Sequence, residues 1–316
     1  MNNKFIIGID TSNYTTSVAV MTPDGKLIAN EKAPLPVKHG ECGLRQSDAV
    51  FAHVKNMPEL MNRLSGYING ETVVAIGVSE RPRNVDGSYM PCFLSGVAVA
   101  EGMSAVSGAP LYRFSHQCGH IMAAIYSANR FDLLDKEFVA FHVSGGTTEM
   151  LKVKPAEASF CAELVGGTAD LNAGQVIDRI GVHLGLNFPC GKELEALALK
   201  NEKKIPKKKI SGKAFEINLS GLENMAVKLY KETSDASLVA AFTLDFIANS
   251  LIYLVNEYEA RFGKTEFLFA GGVMSNSIIK RKLSSVCSAS FAEPALSADN
   301  AVGIAALCAR KYNLEK

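Results

Sequence analysis

Two stretches of the chain repeat one pattern of apolar and polar positions. FIIGIDTSNYTTSVAV (5–20) and FVAFHVSGGTTEMLKV (138–153) each run apolar, then through small polar residues, then apolar again. Apolar runs broken by turn residues predict a β-hairpin in each. A third segment, TEFLFAGGVMSNSIIKRKL (265–283), reads as a strand, a glycine pair and an amphipathic helix. VVAIGVSE (73–80) predicts a buried strand, and GSYMPCFLSG (87–96) a turn-rich loop entering a helix. Helical spacing over 46–64, 96–108, 173–186, 238–263 and 300–313 predicts five helices. Strands and helices that alternate in two equivalent halves imply an α/β protein of two lobes with a cleft between them.

A length of 316 residues also suits two lobes better than one. The expected division puts 1–115 in the first lobe, with the C-terminal helix 300–316 packing back on it, and 116–299 in the second. Hydrophobic residues at 47% and charged residues at 21% are an ordinary globular balance. No apolar run is expected to reach the roughly 18 to 20 residues of a membrane span. The N-terminus runs straight into a strand without a signal-peptide pattern. Seven cysteines with no CxxC pair suit reduced thiols, so the expected location is the cytoplasm, with no membrane partner.

Basic and acidic residues balance at 33 to 32, so net charge does not announce a polyanionic partner. The charge is uneven, however. Lys203, Lys204, Lys207, Lys208, Lys209 and Lys213 crowd around one proline. That run is either a solvated loop or a patch that contacts nucleic-acid phosphates by releasing their counterions.

The chemistry concentrates in a few segments. FSHQCGH carries His116 and His120 four residues apart, a spacing that places both imidazoles on one helix face where they can grip one metal ion. A metallopeptidase motif carries a glutamate between its histidines. Gln117, Cys118 and Gly119 stand there instead, which disfavours peptidase chemistry. Asp299 in LSADNAVGIA is a candidate third ligand or a helix cap. Two histidines and a carboxylate leave open positions for a phosphate or carbonyl oxygen and suit Fe or Zn. VSGGTT (143–148) offers glycines that let backbone amides approach a phosphate. Asp10 either holds a metal-bound water or caps its turn, and Ser12 is a further candidate beside it. Asp178 either accepts from ribose hydroxyls or is a solvated helix carboxylate.

In chain order, GIDTSNYTTSVAV, HGECGL, APLYRFSHQCGH, VSGGTTEML, AGQVIDRIGVHLGLNFPCG, LSGLENMAV, AGGVMSN and SADNAVGIA resemble the TsaD or glycoprotease (peptidase M22-like) family of tRNA adenosine threonylcarbamoyltransferases. The resemblance runs over nearly the whole chain. It implies the actin-like ATPase (ASKHA) fold, two duplicated RNase H-like lobes around a nucleotide cleft. It implies metal ligation by His116, His120 and Asp299. It places an adenine nucleotide, ATP or threonylcarbamoyl-AMP, against Val143, Ser144, Gly145, Gly146 and Thr147. Asp178, Gly191, Glu195, Gly271, Gly272 and Asn276 complete that nucleotide site. The implied reaction moves a threonylcarbamoyl group from its AMP anhydride to the exocyclic amine of a tRNA adenosine beside the anticodon. A second actin-like subunit, or a second copy of this chain, is an expected partner.

The departures cluster in the site. The family's first-hairpin acids are replaced by Asp10, Tyr14 and Thr15, its SGGHT histidine by Thr147, and its SGLK lysine by Glu223. Three acids after the second hairpin become Gly167, Leu171 and Gln175. These changes suggest a diverged paralogue. The alternatives are a carbamoyl transferase with another acceptor, or a non-catalytic nucleotide- or metal-binding partner. A sugar or acetate kinase follows from the fold alone.

Overall fold

The computed structural model describes residues 3–36, 44–210, 212–297 and 300–316. They form two compact units. The first comprises 1–135, 154–162 and 295–316, and the second 136–153 and 163–294.

The first unit opens with strands β1 (Lys4–Thr11), β2 (Thr15–Met21) and β3 (Leu27–Pro34). Helix α1 (Gln46–Ile68), strand β4 (Thr72–Arg81), helix α2 (Phe93–Ser107), strand β5 (Leu111–Ser115) and helix α3 (His116–Ser127) follow. The sheet order is β3-β2-β1-β4-β5. β1 and β2 pair antiparallel with Asp10 opposite Ser17, while β1, β4 and β5 run parallel. Side chains alternate across a strand. Ile7, Ile9, Val18 and Val20 therefore share one core with Met57, Leu60 and Leu64 of α1 and Ala100 of α2.

The second unit contains β6 (Phe138–Val143), β7 (Thr148–Ala156) and β8 (Ser159–Thr168) apart from residues 154–162, then α4 (Ala173–His183) and α5 (Gly191–Ala198). Next come β9 (Gly212–Lys213), β10 (Glu216–Ile217), α6 (Ser220–Thr233) and α7 (Ala236–Phe262). It ends with β11 (Glu266–Ala270), α8 (Ser277–Ser284) and β12 (Ser288–Phe291). Its sheet order is β12-β11-β6-β7-β8-β10-β9. Read as β8-β7-β6-β11-β12, that order matches β3-β2-β1-β4-β5, so both hairpin repeats head equivalent sheets. The short β10–β9 ribbon is the addition. Helix α7 corrects the expectation about apolar runs: by length and composition it could cross a membrane. However, 78% of its most apolar window is buried, and Phe242, Phe246, Leu251 and Leu254 lie in the core of the second unit.

The chain closes with α9 (Val302–Leu314) in the first unit. It covers the sheet face opposite α1 and α2, where two glycines make room. A Cβ on Gly8 of β1 would sit 2.6 Å from the Ala301 carbonyl oxygen, and one on Gly77 of β4 would sit 2.7 Å from Cys308 Cβ. Helix α3 crosses α9 even more closely, with the carbonyl oxygen of Gly119 1.8 Å from where a Cβ on Gly303 would fall. This packing groups α3 with the first unit, on the other side of the boundary expected at 115/116.

Two outcomes follow for stability. Gly303→Ala forces the α3–α9 crossing apart, and a loss of about 1–3 kcal/mol or more is expected in urea unfolding. His53, fully buried on α1, bonds the Ser12 carbonyl through Nε2 (2.8 Å) and the Thr16 hydroxyl through Nδ1 (2.8 Å). Burial lowers its pKa, against the opposing pull of the Ser12 carbonyl and the Asp10 charge. The unfolded chain therefore takes up a proton before the folded one does. Stability is full above about pH 6.5, the ordinary histidine value, and falls as pH drops toward the lowered one. Between about pH 7.5 and 5.5 the melting temperature of wild type should therefore fall more than that of His53→Gln.

Candidate functional site

Helix α3 begins where Ser115 accepts a hydrogen bond from the Cys118 amide at 3.2 Å, a side-chain cap at the end of β5. His116 is thereby the first residue of the helix, and His120 stands one turn on. Their Nε2 atoms approach to 3.0 Å with the rings edge to face. His116 Nδ1 lies 2.9 Å from Oδ1 of Asp10, at the end of β1. The Ser79 hydroxyl of β4 donates to the same carboxylate oxygen. Asp10 is fully buried, and its Oδ2 has no hydrogen-bond partner among the described residues. The Asp10 side chain thus serves Ser79 and His116 rather than capping its own turn. The Ser12 hydroxyl donates to the Thr15 carbonyl across that turn.

Asp299 lies outside the described residues. Asn300, one residue before the α9 N-cap Ala301, accepts from the Val302 amide through Oδ1 at 3.0 Å. Among the described residues, no group of three or more His, Cys, Asp or Glu side chains could hold a metal ion. His116 and His120 bring two imidazole nitrogens close together.

In the second unit the β6–β7 turn is closed by Ser144, whose amide donates to the Thr147 carbonyl at 2.7 Å. Its hydroxyl accepts from the amides of Gly146 (3.3 Å) and Thr147 (3.1 Å). The Gly145 amide has no partner among the described residues, and Gly145 and Gly146 are exposed. Two glycines press neighbouring backbone onto this turn. Gly174 of α4 would place a Cβ 2.6 Å from Gly145 N. Gly271, at φ +103°, would place one 2.2 Å from the Val143 carbonyl oxygen. Gly272 then opens a single 3₁₀ turn to Ser275.

Three further contacts knit the remaining residues to the same end of the second unit. Asp178 accepts from the Cys190 amide at 2.8 Å, fixing the turn that leads into Gly191 and α5, so it is neither solvated nor free at that oxygen. Glu195 accepts from the amide (2.8 Å) and hydroxyl of Ser277 at the start of α8. Asn276 caps α8 by accepting from the Ile278 and Ile279 amides, both at 3.1 Å. Helices α4 and α8 both begin here, and helix N-termini carry the partial positive charge that suits a phosphate.

The altered positions have structural employment. Gly167 has φ +148° and would place a Cβ 2.2 Å from the Thr148 carbonyl oxygen, so an acid cannot occupy it without moving β7. Gln175 accepts from the Asn172 amide and thereby closes the start of α4. Leu171 packs on the core, and Glu223 pairs with Arg179 at 3.2 Å on the surface. The Lys203–Lys213 segment is exposed at every lysine, with Lys203 committed to Asp235 at 2.7 Å. Sequence reasoning missed Ser79, and it missed Asp170, which accepts from the amides of Leu171, Leu219 and Ser220. Burial pushes the Asp170 carboxyl up, but the bonds from Ser220, Leu219 and Leu171 outweigh it and hold the pKa below the ordinary value.

Solved structures with this architecture include HypF of T. kodakarensis, with a TM-score of 0.60 at 13% identity over 99% of this chain and 48% of that one. Component A of Acidaminococcus fermentans (R)-2-hydroxyglutaryl-CoA dehydratase gives 0.57 at 14%, over 98% and 99%. Likeness at such identity is one of fold, and the fold is that of the actin-like ATPases. Sequence comparison goes further. The tRNA N6-adenosine threonylcarbamoyltransferase of Streptococcus suis is 27% identical over 333 aligned residues, covering all of this chain and 94% of that protein. The protein of that name from Methanopyrus kandleri is 26% identical over 307, covering 95% and 85%. With residues 38–306 matching its description, the chain belongs to the tRNA N6-adenosine threonylcarbamoyltransferase family, a family of transferases.

Asn276 gives this site a stability test. Asn276→Ala strips two amides of their acceptor, and a loss of about 1 kcal/mol, within a range of about 0.5–2, is expected in denaturant unfolding.

Proposed function

We propose that this protein transfers a threonylcarbamoyl group from its AMP anhydride to the exocyclic amine of a tRNA adenosine next to the anticodon. We propose further that it does so in the cytoplasm with one divalent metal, Fe or Zn. The observation that carries the metal reading is the pair of Nε2 atoms 3.0 Å apart, one of them on a ring whose other nitrogen is held by a buried carboxylate. Two imidazole nitrogens aimed at one point, with an outer carboxylate fixing one ring, fit such an ion. Asp299 would complete the set.

When bound, the metal would supply Lewis-acid stabilisation of negative charge on a phosphate or carbonyl oxygen. The chain's own residues supply the rest. The amide of Gly145, and those of Gly146 and Thr147 now on the Ser144 hydroxyl, would bind phosphate oxygens with the α4 N-terminus behind them. Asp178 and Glu195, each with one oxygen engaged in the scaffold, would offer the other to ribose hydroxyls. Gly191, Gly271 and Gly272 would leave room for the nucleoside, and the Asn276 amide nitrogen would be its remaining donor. The acceptor amine needs positioning rather than a strong base. The exposed lysines 204–213 would hold the tRNA backbone, and a second actin-like subunit would be a natural partner.

Purified protein, with or without such a partner, given Fe or Zn, tRNA and threonylcarbamoyl-AMP should yield modified adenosine by mass spectrometry of digested nucleosides. His116→Ala and His120→Ala should each lower the yield at least about 100-fold while keeping the melting temperature. Metal-loaded wild type that releases AMP without modifying tRNA would point to another acceptor. Protein that neither binds metal nor releases AMP would overturn the reading. Lys207→Ala with Lys208→Ala should weaken tRNA binding and flatten its salt dependence by about one unit of slope per lysine.

A further inference from the structure

The Asp10–Ser79–His116 cluster holds more than a fold requires. A carboxylate only accepts hydrogen bonds, so the 2.9 Å contact to Asp10 Oδ1 fixes the proton of His116 on Nδ1. The neutral ring then carries its lone pair on Nε2, the atom that faces His120. Asp10 cannot swing away: it ends the central strand β1, it is fully buried, and Ser79 of the adjoining β4 donates to the same oxygen. Its second oxygen is buried with no partner among the described residues. An unpaired carboxylate oxygen in the interior is costly, and the cost is offset where a cation sits close by.

We infer that Asp10 is a positioning residue for the metal. It orients His116, imposes the tautomer that leaves Nε2 able to ligate, and lends negative charge to the site from behind the ring. The inference rests on the metal reading above and assigns Asp10 a role behind a ligand rather than on a metal-bound water. In the metal-free protein His120 Nε2–H donates to His116 Nε2. A metal held by both Nε2 atoms would replace that bond, and the His120 proton would move to its Nδ1 through solvent, with no net gain or loss of protons.

Two measurements on the protein test this. In the metal-free protein, nitrogen-15 NMR of the histidine rings should show His116 as the Nδ1–H tautomer, and in Asp10→Asn as the Nε2–H tautomer or a mixture. Titration with Co2+, followed by its visible absorption, should show Asp10→Asn binding about 10- to 100-fold more weakly than wild type at an unchanged melting temperature. Should Asp10→Asn fail to fold, Ser79→Ala, which removes only the hydroxyl on Oδ1, should still weaken Co2+ binding about 3- to 10-fold. An Nε2–H tautomer in wild type, or Co2+ affinity in Asp10→Asn within about threefold of wild type, would overturn the role of Asp10 and leave the metal site standing. Wild type that ignores Co2+ would overturn the metal reading and this inference with it.

Discussion

The first unit is organised by the absence of side chains at one crossing. Gly119 and Gly303 let α3 and α9 meet backbone to backbone, and Gly8 and Gly77 let α9 lie down on β1 and β4 in the same way. With α9 seated so low, α3 has one place to go, and the first turn of α3 carries His116. β1 meets α9 through Gly8 while its other face enters the main core, so the strand end that carries Asp10 is clamped from both sides. The distance between Asp10 and His116 is thus set by three elements packed at contact distance. Interiors this dense do not let side chains drift.

The second unit uses the same device on a turn. Gly174 and Gly271 bring α4 and the end of β11 against the backbone of the β6–β7 turn, and cap contacts by Asp178, Glu195 and Asn276 tie three helices to one another. Several of the residues expected to meet a nucleotide are therefore also scaffold. Each carboxylate spends one oxygen on a backbone amide and retains the other.

Much of this was legible in the sequence, for reasons that differ by element. Both hairpins and helices α1, α4 and α9 were readable because apolar periodicity was sustained over a long run. The His116–His120 pair was readable because four residues is one helical turn. Ser79 and Asp10 are 69 residues apart, and no local pattern joins them; only the parallel pairing of β1 with β4 does. The start of α6 depends on Asp170, 50 residues earlier than the Ser220 amide it accepts from. The seating of α3 against α9 was not legible, because the glycines at that crossing leave no trace in hydropathy. The membrane-length character of α7 was overlooked because charged residues interrupt the run, although the helix as a whole is apolar.

The Ser144 hydroxyl has a consequence for anion selectivity. It already sits on the Gly146 and Thr147 amides, where the proposed phosphate oxygen would bind. An incoming group must evict it, so the net gain at these two donors is the difference between a charged acceptor and a neutral one. A monovalent, well-hydrated ion such as chloride gains little from that exchange. A polyphosphate oxygen, bearing more charge and tethered to a nucleoside gripped elsewhere, gains far more. If the turn meets a nucleotide as proposed, it would act as a latch that ordinary salt does not spring.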